Sequence, residues 1–277
     1  MSAVKNTAAN AAPVWKDARR FVSRGFLIRP LTGRKARFPR APPRRMQIAE
    51  IFYSIQGEGE LTGVPSVFVR TSGCNLRCRW CDTPYASWNP EGTAWQPDAL
   101  LARILEHRQA RHAVFTGGEP LLWKELPYLS RSLRSRGWHV TIETASTVSP
   151  GDLEYDLASL SPKLSNSTPL EREIEPAWRQ RHENTRVQTE VLREWLLGGA
   201  YQLKFVVARE EDLAELEQML LQTGVSVPAH KVFLMPEGTE SISLRESGRK
   251  VAEWCKQRGY RFCDRLHVHL YGHTRGT

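Results

Sequence analysis

The 277 residues, 40% hydrophobic and 25% charged, can bury the core of one domain with extensions. No run reaches the ~18–20 consecutive apolar residues of a membrane helix, and no secretory signal is expected. Five cysteines form no even framework, which excludes a disulfide scaffold and points to a reducing, cytoplasmic setting where clustered thiols bind metal or do chemistry.

The net charge of +9 is unevenly placed. Residues 1–45 hold twelve Lys or Arg against the single acid Asp17, a surplus of +11, so the remainder carries −2 (9 − 11). A nucleic-acid partner would therefore rest on this segment alone, and none is expected for the rest. Prolines at 13, 30, 39, 42 and 43 and many like charges predict a disordered basic N-terminal extension, with a targeting peptide or translated upstream sequence as the other readings.

From Met46 the pattern changes. IAEIFYS (48–54) and SVFVRTS (66–72) read as strands. A helix is predicted over 98–110, a strand over 112–118 ending in a glycine turn, a helix over 125–137 stopped by Gly137, and strands over 138–145 and 156–163. Residues 164–197 read as a polar insertion with one helix, RVQTEVLREWLL. Strand 201–208, helix 210–224, strand 231–236 and helix 243–259 follow, and LHVHLY is read as a lone strand carrying His267 and His269. The alternation defines an α/β core domain over 46–277 with largely parallel strands. Polar strand ends (TGGEP, ETAS, SPK, MPEG) predict a partial, incomplete TIM-type barrel with its site on the C-terminal face.

The chemistry concentrates in SGCNLRCRWCDT, where Cys74, Cys78 and Cys81 occupy one turn. Soft thiolates suit zinc or an iron–sulfur cluster. Structural zinc wants four protein ligands, and neither a second CxxC nor a nearby His supplies the fourth. A thioredoxin-type redox pair does not explain the third cysteine. Three ligands on a four-iron cube would leave one iron open to a chelating substrate. Arg77 and Arg79 add positive charge expected to favour thiolates.

This CxxxCxxC spacing resembles the signature of the radical S-adenosylmethionine (SAM) superfamily, and Thr116-Gly117-Gly118-Glu119-Pro120 resembles its GGEP motif. The resemblance implies a 4Fe-4S cluster whose open iron binds SAM. An electron from a flavodoxin- or ferredoxin-type donor then releases a 5′-deoxyadenosyl radical that abstracts hydrogen. The flanking FYSIQGEGELTGVPSVFVRTSG, with SPKLSNS and LHVHLYGHTRGT, is similar to the family of 7-carboxy-7-deazaguanine synthases over 46–277. That family implies a magnesium-dependent carbon–nitrogen lyase of the queuosine (7-deazapurine) pathway. It contracts 6-carboxy-5,6,7,8-tetrahydropterin to 7-carboxy-7-deazaguanine with loss of ammonia, and many members are homodimers.

By resemblance, Cys74, Cys78 and Cys81 hold the cluster and Thr83 binds magnesium. Arg70, counted with Thr83 as catalytic, forks the substrate carboxylate. Ile55, Gln56, Gly57, Glu58, Thr116 and His267 contact the pterin. Gly118, Glu119, Glu143, Thr144, Ser161, Lys163 and Lys204 contact SAM, with Glu119 accepting from its ammonium. Where the family often has ETNG this chain reads Glu143-Thr144-Ala145-Ser146, which removes side-chain contacts at the last two positions. Two rival readings are a glycyl-radical activase working on a partner protein and a non-enzymatic zinc module.

Overall fold

The structure, a computed structural model, describes residues 45–277, so the expected N-terminal extension lies outside the described residues. Nine strands form one sheet in the order β3-β1-β2-β4-β5-β6-β7-β8-β9. The strands are β1 (Met46–Ile55), β2 (Pro65–Thr71), β3 (Thr93–Trp95), β4 (His112–Gly117), β5 (His139–Thr144), β6 (Leu157–Leu160), β7 (Tyr201–Val207), β8 (Val232–Pro236) and β9 (Arg261–Phe262). From β2 to β9 every neighbour is parallel, and only β1 pairs antiparallel, with β2 and β3. Helices α1 (Pro97–Leu105), α2 (Leu126–Arg134), α3 (Pro176–Arg186), α4 (Thr189–Gly198), α5 (Glu211–Gln222), α6 (Ser241–Arg258) and α7 (Leu266–Tyr271) complete the α/β chain.

Strands β6, β7 and β8 are buried along nearly their whole length, as expected of parallel strands covered on both faces. Leu129 and Leu133 of α2, Leu213 and Leu216 of α5, and Val251 and Trp254 of α6 join the strand residues in one core. The sheet curls without closing: β3 and β9 do not pair. The turn after β1 nevertheless reaches the far strands, because Glu60 N–H donates to Gln202 Oε1 (2.8 Å) and Gly59 N–H to Cys263 Sγ (3.2 Å). The result is the expected partial barrel.

Several local readings differ: strands β3 and β9 were not expected, and the strand expected over 156–163 spans only Leu157–Leu160. Residues 164–197 contain two helices, α3 and α4, where the sequence predicts one. Helix α3 was hidden because it buries only His182 and so has no apolar stripe. LHVHLY, whose apolar residues alternate as in a strand, is the short helix α7, started where Leu266 N–H donates to Gly57 O (2.9 Å). Helix α1 stops at Leu105, five residues early; Arg111 Nη1 donates to the carbonyls of Arg108 and Ala110 and holds the turns that follow.

Candidate active site

The C-terminal ends of β2, β4, β5, β6 and β8 open into one cavity. Strand β2 delivers Arg70 and then the cysteine loop. A register shift between Ile48 and Glu50 on β1 sets Glu50 opposite Arg70. Arg70 Nε donates to Glu50 Oε1 (2.5 Å), and Tyr85 Oη donates to the same oxygen (2.6 Å). With Nε held, the terminal nitrogens of Arg70 make no hydrogen bond to protein among the described residues and stay available to an anion in the cavity.

Cys74, Cys78 and Cys81 are free thiols lining this cavity. The loop rests on the glycines after β4. A Cβ at Gly118 would stand 2.0 Å from Gly73 O, and at Gly117, where φ is +132°, 2.2 Å from Thr71 O. Backbone bonds replace that bulk: Gly118 N–H donates to Thr71 O (3.0 Å) and Glu119 N–H to Gly73 O (2.9 Å). These glycines thus admit the cysteine loop, and both also line the cavity. Among the described residues no three His, Cys, Asp or Glu side chains converge as on a single ion. Three thiols on one loop, with no fourth ligand converging on them among the described residues, suit an iron–sulfur cluster better than structural zinc. Burial pushes the Cys74 and Cys78 thiols up to about 12, opposed for both by Lys163. Arg77 lies close enough to Cys74 and Cys81 for the charge attraction expected of it. Arg77 caps the carbonyls of Cys74 and Leu76, and Arg79 faces Glu173 at 3.7 Å.

One wall is a chain of alternating charges. Asp82 accepts from Arg265, whose Nε reaches Glu58 Oε1 (3.2 Å). Glu58 Oε2 accepts from Lys204 Nζ (2.5 Å), which also donates to Glu143 Oε2 (3.0 Å), and Glu143 Oε1 accepts from Gln56 Nε2 (3.3 Å). Burial alone would raise the Glu58 carboxyl, but Lys204 and Arg265 together hold it well below the usual carboxylate range. Lys204 is held charged in turn, its desolvation outweighed by Glu143 and Glu58.

Of the residues singled out from sequence, Ile55, Gln56, Glu58, Arg70, Cys74, Cys78, Cys81, Thr83, Thr116, Gly118, Glu143, Thr144, Ser161, Lys163, Lys204 and His267 line the cavity. Two do not. Glu119 is fully buried and occupied: Oε1 accepts from Thr144 Oγ1 (2.8 Å) and Leu121 N–H (3.2 Å), Oε2 from Ala145 N–H (3.0 Å). It fastens the end of β5. Gly57 is glycine because the His267 ring lies against it; a Cβ there would stand 2.0 Å from Nδ1. His269 turns away and pairs with Asp264 (3.0 Å). Asp82, Arg265, Glu50 and Tyr85 take part in the site, and no local signal marks Arg265, Glu50 or Tyr85, whose partners lie 20 to 207 residues away.

An open barrel carrying a three-thiol loop and a glycine turn defines the radical SAM class, and the Radical SAM superfamily model matches residues 68–157. The 7-carboxy-7-deazaguanine synthase of Rhodopirellula baltica is 44% identical over 239 residues, covering 86% of this chain and 91% of that protein. That of Halobacterium salinarum is 42% identical, covering 82% and 90%. The crystal structure of QueE from Escherichia coli superposes with a TM-score of 0.60 at 27% identity, covering 80% of this chain and 95% of that one. The chain belongs to the family of 7-carboxy-7-deazaguanine synthases.

Proposed function

We propose that this cavity seats a 4Fe-4S cluster, SAM and 6-carboxy-5,6,7,8-tetrahydropterin together, and that the chain's residues steer contraction of the pterin to 7-carboxy-7-deazaguanine. The observation that carries the reading is that the three free thiols, the half-free Arg70 guanidinium and the Thr83 hydroxyl all line one cavity. When bound, the cluster and SAM supply the radical that removes hydrogen from carbon six of the substrate.

The protein's share is positioning and charge. Arg70, braced through Nε by Glu50, presents its terminal nitrogens to the substrate carboxylate. Gln56, Glu58, Thr116 and His267 stand where a pterin edge can be read by amide, carboxylate, hydroxyl and imidazole. Gly118, Glu143, Thr144, Ser161 and Lys163 line the same cavity and offer polar groups that fit SAM. Lys204 works through Glu58 and Glu143, and Glu119 through Thr144. Thr83, 3.8 Å from Cys81 Sγ, offers a hydroxyl to magnesium beside the cluster loop.

Anaerobically reconstituted protein with reductant, SAM, magnesium and the carboxypterin should yield the deazaguanine and ammonia; an intact cluster with no product overturns the assignment. Thr83→Ala should keep full iron content while losing most activity at low magnesium. An unchanged magnesium titration would remove Thr83 from the metal. A flavodoxin- or ferredoxin-type protein is the electron donor in this reading. A homodimer is part of it too, supported by Ile242, Leu270 and Tyr271, which leave apolar surface exposed beside the contact of Ser241 with α7, and is read by sedimentation.

A further inference from the structure

Helix α3 is polar, and its single buried residue is a histidine 1% exposed. A buried imidazole needs a partner at each nitrogen. Nδ1 of His182 accepts from the backbone N–H of Arg77 (3.1 Å). An accepting Nδ1 leaves the ring hydrogen on Nε2, which lies 3.0 Å from Ser167 Oγ. The Ser167 hydroxyl spends its own hydrogen on Leu164 O (2.7 Å), so it accepts from the ring. The neutral Nε2–H tautomer is therefore the one that fits the chain of donors.

Neighbouring residues grip the same stretch. Ser167 O accepts from Arg79 N–H (2.9 Å), Asn166 Oδ1 accepts from Trp80 Nε1 (3.2 Å), and the Trp178 ring lies 4.1 Å under the Arg77 guanidinium. His182, Ser167, Asn166 and Trp178 are all absent from the cavity wall. They hold the cysteine loop from outside.

We propose that His182 is a positioning residue for the cysteine loop, fixing the backbone between Cys74 and Cys78 so that their thiolates keep the spacing of a cluster face and that side stays closed to oxygen. The inference rests on reading the cysteine triad as the cluster seat. It also gives the polar segment between β6 and β7 a purpose: α3 is the clamp.

Two variants separate this role from packing. His182→Asn keeps an oxygen acceptor at the position of Nδ1, whereas His182→Gln carries its amide to the position of Nε2 and leaves Arg77 N–H without an acceptor. In reconstituted protein we expect the Gln variant's cluster to bleach in air several-fold faster than wild type, with a shifted electron paramagnetic resonance spectrum after reduction. The Asn variant should stay close to wild type in both. Equal behaviour of the two variants, or the reverse order, overturns the proposal. Should the Gln variant fail to fold, hydrogen exchange at Arg77 in the wild-type apoprotein decides: a protected amide supports the clamp, and rapid exchange refutes it. Iron and sulfide content of the wild type tests the cluster reading separately, since its failure would leave the apoprotein result intact.

Discussion

Ser146 stands at φ +59°, the one described residue other than glycine with positive φ, at the place where relatives often carry the glycine of ETNG. Its backbone is kept there by a bond from Ser146 N–H to Thr144 Oγ1 (3.1 Å), while its own hydroxyl is buried without a partner. The left-handed region costs an L-residue about 1–2 kcal/mol, partly offset by the extra chain entropy that glycine loses on folding. Ser146→Gly also removes the orphaned hydroxyl. The variant should gain about 1 kcal/mol, read as a higher Tm of the apoprotein; a lower Tm would show that the serine is supported in a way the hydrogen bonds do not reveal. The departure from the family pattern was visible in the sequence, but its meaning was not. ETAS reads as lost side-chain contacts, whereas the structure shows a backbone conformation kept at a cost.

Between elements, the decisive contact is Lys204 of β7 with Glu58 from the turn after β1 and Glu143 at the end of β5. One ammonium joins three parts of the sheet, with its side chain only 6% exposed. Lys204→Met fills similar space but leaves two carboxylates facing each other without their shared cation, which typically costs about 3–5 kcal/mol. Urea unfolding of the apoprotein should show a loss of this size, and a change under ~1 kcal/mol would mean that water already screens the pair. The strands here were legible because their apolar runs are local. Lys204 and Glu143 could be named as candidates from their places at strand ends, but not as partners of each other. Helices α3 and α7 escaped for a related reason: α3 buries a histidine instead of an apolar stripe, and α7 alternates Leu-Val-Leu with polar residues like a strand. What decides both is a partner far along the chain, Arg77 for one and Gly57 for the other.

For the molecule as a whole, stability should depend on acid through a buried histidine remote from the cavity. His112 sits between Ser66 Oγ (2.8 Å) and Thr141 Oγ1 (2.7 Å), with the His139 ring edge-on at 4.8 Å. Burial first and His139 second push its value down to about 4, from the 6.5 expected in the unfolded chain. Between those values the unfolded state binds more protons, so stability is fully present above pH ~6.5 and falls as pH drops toward 4. Between pH 7 and 5 the wild-type apoprotein should lose on the order of 2 kcal/mol more than His112→Gln. Parallel losses in the two proteins would place the titrating group elsewhere. The motif-bearing part of the site was readable because cysteine spacing and GGEP are local signatures, while Arg265 and His182 acquire roles only through folding. That same dispersion sets an order of events during synthesis. The cysteine loop depends on Glu119 N–H at Gly73, His182 at Arg77 and Arg265 at Asp82, so it has little shape of its own. A chain still emerging from the ribosome lacks the last of these braces until residue 265 is out, long after the thiols at 74–81 have appeared. A cluster on this loop would therefore be held firmly only once the later segments have folded against it.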